Sequence, residues 1–228
     1  NYHFGYNWYN NHFHSNNTQK RGEYSTSYLY DLHCPERVYN YNKDMKILLS
    51  IRNPIDRFIS HHKHEVIGLR YTNKTNNVKS LFKQNPTYLE YGLYYKYLSH
   101  WLKHFSKNQI LTILFDDIAN NPSRVTSKIY QFIGVDSFFS PSCLNKRINQ
   151  SFIVNNNSVL KSQKNIARIS RKLGFGFIVD RIKRLGLKTA LNKINTSENA
   201  DIIEINEEIS VYLNEYFKND INEISQLI

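Results

Sequence analysis

The chain is short of cysteine, methionine, glycine and acid. Two cysteines in 228 residues, Cys34 and Cys143, do not build a disulfide scaffold. No apolar run approaches the roughly 18–20 residues that span a bilayer, and no signal-peptide pattern is visible. The eight glycines are scattered, and none sits in a Gly-rich or Lys-Thr loop able to wrap a phosphate. Nineteen acidic residues stand against thirty Lys and Arg, a formal net charge of +11 that implies anionic partners. No recognisable nucleic-acid-binding module accompanies that charge, so nucleic acid is not the expected partner. Forty per cent hydrophobic and fourteen per cent aromatic residues exclude a generally disordered chain, and the length suits one sizeable core.

What is present is concentrated in Lys46–His64, KILLSIRNPIDRFISHHKH. Lys46–Ile51 is a short apolar run without alternation, the pattern of a parallel strand covered on both faces. Asn53 suits a helix N-cap and Pro54 the first helical position. Ile55, Phe58, Ile59, His62 and Val66 then repeat at helical spacing as a core face, with Asp56, Ser60 and His64 along another. A guanidinium at the strand exit, free N–H groups at a helix start and a hydroxyl in the second turn make a phosphate site from Arg52 and Ser60. Taken singly, Arg52 could equally pair with Asp56, and Ser60 could be an ordinary small helix residue. Arg57 falls on a different face and suits an ion pair. His61, His62 and His64 are not read as a metal site, since neighbouring helix positions diverge by about 100°.

RNPIDRFISHHKH resembles the 3′-phosphate-binding motif of sulfotransferases that use 3′-phosphoadenosine 5′-phosphosulfate (PAPS). The resemblance extends along most of the chain. NYHFGYNWYNNHF is similar to the Tyr-x-x-Gly-x-x-Trp-Tyr segment of bacterial and heparan-type members. GEYSTSYL is similar to their Gly-Glu-Lys-Ser-Pro-x-Tyr segment, with Tyr24 in place of Lys. GLYYKYLSHWLKHFSKNQILTILFDD resembles their Gly-x-Tyr helix and following strand, Asn121-Pro122 and the helix to Gly134 fit, and VYLNEYFKNDINEISQLI is like the closing helix.

The resemblance implies an α/β fold like that of P-loop NTPases, a parallel sheet flanked by helices with right-handed crossovers and a helical C-terminal third. It implies transfer of a sulfuryl group from PAPS to a hydroxyl or amine, with a carbohydrate as the expected acceptor. PAPS would be the co-substrate, 3′,5′-ADP the product, and no metal is required. Arg52 and Ser60 take the 3′-phosphate. Lys146, Arg147 and Asn149, in LNKRINQS, look like a Lys-Arg-x-Asn segment covering the nucleotide phosphates, although an ordinary basic loop reads the same way. The family's Lys-x-Gly-Thr-Thr loop and its usual catalytic acid would fall before Asn1. The expectation is therefore a single domain over 1–228, truncated at its N-terminus and inactive alone, with no catalytic residue assigned. His3 and Glu23 are the local candidates for a base. A non-catalytic nucleotide- or glycan-binding remnant is the alternative. Asp116 and Asp117 at a strand end read as structural. The absence of the close Cys pair found in some Golgi members favours the cytoplasm, with the Golgi lumen as the alternative if a preceding segment carries an anchor.

Several further elements are expected. Asn1–Lys20 reads as a surface helix and loop, and Thr26–Asn40 as a short helix or turn. Arg70–Tyr88 reads as a mobile, acceptor-facing loop. Residues 91–106 form a helix packed on the sheet, 109–115 a strand, and 123–133 a helix closed by Gly134. Ser140–Asn157 reads as irregular. The basic stretch 168–188 reads as a solvated helical face beside apolar packing, or as an acceptor- or surface-binding element.

Overall fold

The computed structural model describes residues 2–14, 19–67, 82–83, 85–144, 153–154, 157–177, 181, 196–197 and 207–228. In chain order the helices are α1 (Gly5–Asn10), α2 (Cys34–Tyr41), α3 (Pro54–Ile67), α4 (Thr87–Glu90), α5 (Tyr94–Trp101), α6 (Phe115–Asn120), α7 (Pro122–Ile133), α8 (Asn157–Lys172) and α9 (Glu207–Ser225). The strands are β1 (Ile47–Ile51), β2 (Ile110–Leu114), β3 (Ile153–Val154) and β4 (Thr196–Ser197). Contacts divide the chain into two compact units. One comprises Asn1–Pro54, Leu89–Lys146 and Tyr212–Ile228, and the other Ile55–Tyr88 and Arg147–Val211.

The first unit is built on β1 and β2, which pair in parallel from Ile47↔Ile110 to Ile51↔Leu114. Leu49 and Ile51 of β1 point into a core shared with Cys34, Tyr94, Leu98, Trp101, Phe105 and Ile224. The periodic apolar positions of 91–106 thus face the sheet as expected, and each fully buried side chain of that size contributes about 1.5–3 kcal/mol. The both-faces expectation for β1 does not hold. Leu48 is 45% exposed and Ser50 is exposed, because alternate residues of a strand point to opposite faces and only one face is covered here. α7 begins at Pro122 and ends where Gly134 turns left-handed at φ 75°. The Gly134 N–H donates to the carbonyl of Gln131 at 3.2 Å and that of Val135 to Tyr130 at 3.0 Å, the paired closure that satisfies a helix's last carbonyls.

Two contacts tie α9 into this unit. Leu93, at the N-cap of α5, has no side chain able to cap. The Asp220 carboxylate accepts hydrogen bonds from the N–H groups of Tyr95 (3.0 Å) and Lys96 (3.1 Å) in its place. Burial pushes the Asp220 carboxyl above its ordinary range, and these backbone donors oppose the shift. Gly92, in the turn before α5, lies against the fully buried ring of Phe217. A Cβ there would sit 2.6 Å from Phe217 Cε1 and 3.0 Å from Pro54 Cβ. The glycine of the Gly-x-Tyr segment is thus required by close packing.

In the second unit, α3 buries Phe58 and His62 completely. Phe58 meets the rings of Phe82 and Tyr88 edge-on, at centroid distances of 5.4 and 5.9 Å. Tyr88, expected at the end of a mobile loop, is instead helical and fully buried, since its aromatic area completes this cluster. The described part of residues 140–157 includes β3, which pairs antiparallel with β4, and the other elements among the described residues of the C-terminal third are the helices α8 and α9.

The His62 ring is buried with no hydrogen-bond partner on either nitrogen. Burial lowers its pKa from the ordinary value near 6.5, against a smaller opposing effect of Glu65. Burial, reinforced by Arg57, lowers that of His61 as well. A lowered folded value means that the unfolded chain binds protons first as pH drops. The stability is complete above about pH 6.5 and is lost below it, at up to about 1.4 kcal/mol per pH unit for each histidine. Urea midpoints measured between pH 5 and 8 should therefore fall on the acid side of about 6.5, and His62→Leu should flatten the profile.

Candidate nucleotide site

The parallel pairing brings the C-terminal ends of β1 and β2 to one sheet edge, where open α/β sheets bind their ligands. Arg52 leaves β1 there, next to Phe115 leaving β2. The guanidinium carbon of Arg52 lies 4.8 Å from the centre of the Phe115 ring. Its Nε is buried and makes no hydrogen bond to the protein. Stacking on an aromatic face orients a guanidinium, and a buried N–H with no acceptor favours an anion able to supply one. The Arg52 backbone N–H points at the hydroxyl of buried Tyr94, 3.4 Å away. Tyr94 belongs to the same Gly-x-Tyr segment as Gly92, so that segment both admits α9 and steadies the strand exit. Asp116 and Asp117 are exposed in the first turn of α6, where carboxylates complement the helix dipole.

Ser60 is half-buried in the second turn of α3. On the same helix Arg57, expected to make an ion pair, donates to the Tyr88 carbonyl, and its Nη1 lies 3.3 Å from His61 Nδ1. Lys146, Arg147 and Asn149 lie outside the described residues.

His3 and Glu23 have contrasting surroundings. His3 is exposed, its ring 4.1 Å from that of Phe4 in an aromatic row that continues through Trp8 and His12. Glu23 shares side-chain hydrogen bonds with Tyr9 and Tyr28. Tyr9 in turn packs edge-on against Tyr41 and Phe13, at 5.2 and 5.0 Å. A carboxylate coupled to two phenols in this way belongs to the same aromatic cluster. The hydrogen bond to Glu23, then burial, pushes the Tyr28 phenol up to about 12. Glu23→Gln should return it toward 10, read by NMR of ring-labelled tyrosine with the Tyr28 signal assigned by Tyr28→Phe. An unchanged value would remove Glu23 from the cluster.

Neither Phe115 beneath Arg52 nor the two phenols on Glu23 stand out in the sequence. Phe115 reads as a strand residue, and only the register Ile51↔Leu114 brings it beside Arg52.

A family model described as a sulfotransferase domain matches residues 4–174, a span that includes Glu23, Arg52, Ser60 and the 146–149 segment. The chain belongs to the sulfotransferase domain family, and its α/β architecture, a parallel pair flanked by helices, is the fold the motifs imply. Human heparan sulfate glucosamine 3-O-sulfotransferase 3B1 is 24% identical over 119 residues, covering 50% of this chain and 30% of that protein. Human heparan sulfate glucosamine 3-O-sulfotransferase 5 is 26% identical over 122 residues, 50% of this chain and 35% of that protein. Rat carbohydrate sulfotransferase 15 is 28% identical over 127 residues, 43% of this chain and 22% of that protein. The matched region thus spans little more than a third, at most, of the length of these relatives. A crystal structure of a sulfotransferase from Alicyclobacillus acidocaldarius superimposes with a TM-score of 0.48 at 25% identity, covering 71% of this chain and 62% of that one.

Proposed function

We propose that the chain binds the nucleotide of a PAPS-dependent sulfotransferase reaction, in which a sulfuryl group moves to a hydroxyl or amine of a carbohydrate acceptor. Membership of the sulfotransferase domain family and the named substrates of the heparan sulfate and carbohydrate sulfotransferase relatives support the reaction class and the acceptor. The observation that carries the nucleotide reading is Arg52: a cation stacked on Phe115 at the C-terminal sheet edge, with a buried N–H that has no acceptor in the protein.

Arg52 and Ser60 are assigned to the 3′-phosphate, and Lys146, Arg147 and Asn149 to the other nucleotide phosphates. In the transfer, a new bond forms between the acceptor oxygen or nitrogen and sulfur while the bond from sulfur to the 5′-phosphate oxygen breaks. The acceptor proton passes to a base, and the negative charge collects on the departing 3′,5′-ADP. Such a reaction depends on alignment and charge stabilisation more than on covalent work by the protein. Anchoring the far end of the donor through Arg52 and Ser60 is a use of remote binding energy to hold the reacting sulfur in line. Glu23, coupled to the Tyr9 and Tyr28 phenols, is assigned to their aromatic cluster, and His3 is the remaining local base candidate.

The test is calorimetry of the chain with 3′,5′-ADP and with 5′-AMP. Preferential binding of 3′,5′-ADP supports the reading. Equal affinity for the two, or none for either, would refute the nucleotide assignment.

A further inference from the structure

A second surface lies away from these residues in sequence, on α8 and the turn after it. Residues 157–177 contain five Lys and Arg and no Asp or Glu. On α8 the two chemistries are sorted by side. Ile166, Ile169 and Leu173 follow one another at three- and four-residue steps and form one stripe. Arg168 and Arg171 fall on the opposite side, and Lys172 borders the stripe next to Ile169. The apolar stripe is not packed away, contrary to the expectation for this stretch. Ile166 is 63%, Ile169 52% and Leu173 66% exposed.

The chain then turns sharply. Gly174 is left-handed at φ 82°, its N–H donating to the Arg171 carbonyl at 3.2 Å and that of Phe175 to Ser170 at 2.8 Å. This closure leaves two more large apolar side chains in solvent, Phe175 and Phe177. Five large apolar residues exposed within twelve positions form a patch that calls for a partner.

We propose that α8 and the Gly174 turn dock the protein on an anionic lipid surface, with the helix lying in the plane of the interface. The apolar stripe and the two phenylalanines enter the boundary between head groups and acyl chains, and the arginines and lysine meet the phosphates. The charge selects against the other occupants. A second copy packed through the stripe would bury the apolar side chains but make no use of Arg168 and Arg171, which lie off that face. A sulfated glycan or a nucleic acid would satisfy the cations but would leave Ile166, Ile169 and Leu173 in water, gaining nothing from the apolar half. At sixteen residues α8 is about 24 Å long, and among the described residues no helix is long and apolar enough to cross a membrane, so surface docking is the mode that fits.

Vesicle flotation of the whole chain tests this, with phosphatidylcholine alone, with phosphatidylcholine doped with phosphatidylglycerol, and with immobilised heparin as the polyanion control. Wild type should float with the anionic vesicles far more than with the neutral ones. Combining Ile166→Gln, Ile169→Gln and Leu173→Gln should lower that partition by roughly tenfold per buried side chain, on the order of a thousandfold in all. Retention on heparin should stay as it was. Combining Arg168→Gln, Arg171→Gln and Lys172→Gln should reduce both. Phe175→Ser with Phe177→Ser leaves α8 itself untouched and should also weaken flotation, so the result does not hinge on helix stability. Failure of wild type to float, or flotation unchanged in both apolar variants, would overturn the proposal and make the face a polyanion site. Binding of 3′,5′-ADP should be the same in all these variants, which separates this surface from the nucleotide reading.

Discussion

Arg52→Ala should weaken binding of 3′,5′-ADP by roughly ten- to a hundredfold and leave binding of 5′-AMP nearly unchanged. The size follows from a charge-assisted hydrogen bond in a partly buried site, worth about 1.5–3 kcal/mol. The selectivity follows from the assignment, because 5′-AMP has no 3′-phosphate. Ser60→Ala should show the same preference with a smaller loss, since a hydroxyl contributes one neutral donor. Phe115→Leu adds a control on the geometry. It removes the ring 4.8 Å from the guanidinium and should cost a few-fold of 3′,5′-ADP affinity through lost orientation, about 0.5–1 kcal/mol. Calorimetry with both nucleotides on all four proteins is sufficient. Equal losses for the two ligands in Arg52→Ala would show that Arg52 acts on folding or on the adenosine, and the 3′-phosphate assignment would fall.

The other large effect is structural. Gly92→Ala should destabilise the chain by about 1–3 kcal/mol, the usual cost of forcing extra volume into a packed site. The added methyl would lie 2.6 Å from a ring carbon of Phe217, and that ring is fully buried and has nowhere to retreat. Phe217→Leu alone should also destabilise, by leaving part of the ring's volume empty. The two together should cost less than their sum, because the shorter side chain makes room for the methyl. Urea denaturation of the two single variants and the double variant measures this coupling. Strict additivity would mean that Gly92 and Phe217 do not meet in solution.

How much of this could be read from the residues depended on how far apart the interacting groups lie in the chain. Arg52, Asn53 and Pro54 are consecutive, so the strand exit and helix start carry their own local grammar, and α3 begins where Pro54 requires it. Gly134 closes α7 for the same local reason. The Tyr94–Trp101 face showed itself by period. The cluster around Glu23 was not legible, because Tyr9 and Tyr28 reach it from separate segments and neither spacing announces a hydrogen bond. Tyr88 reads as loop in the sequence because Asn, Lys and Thr fill the stretch before it, whereas its burial depends on Phe58 and Phe82. The exposure of Leu48, and of the apolar stripe on α8, depends on what covers each face, and periodicity reports only that a face exists.

The Asp220 carboxylate that completes the start of α5 is 125 residues beyond Tyr95. During synthesis on a ribosome, the amides of Tyr95 and Lys96 therefore wait until almost the whole of this sequence has emerged. At the usual elongation rates of about 5–20 residues per second, that interval lasts several seconds or more, long compared with the microseconds in which a helix forms. α5 can coil and uncoil many times before its cap arrives, and the unit around β1 and β2 gains this closure only once Asp220 has left the ribosome.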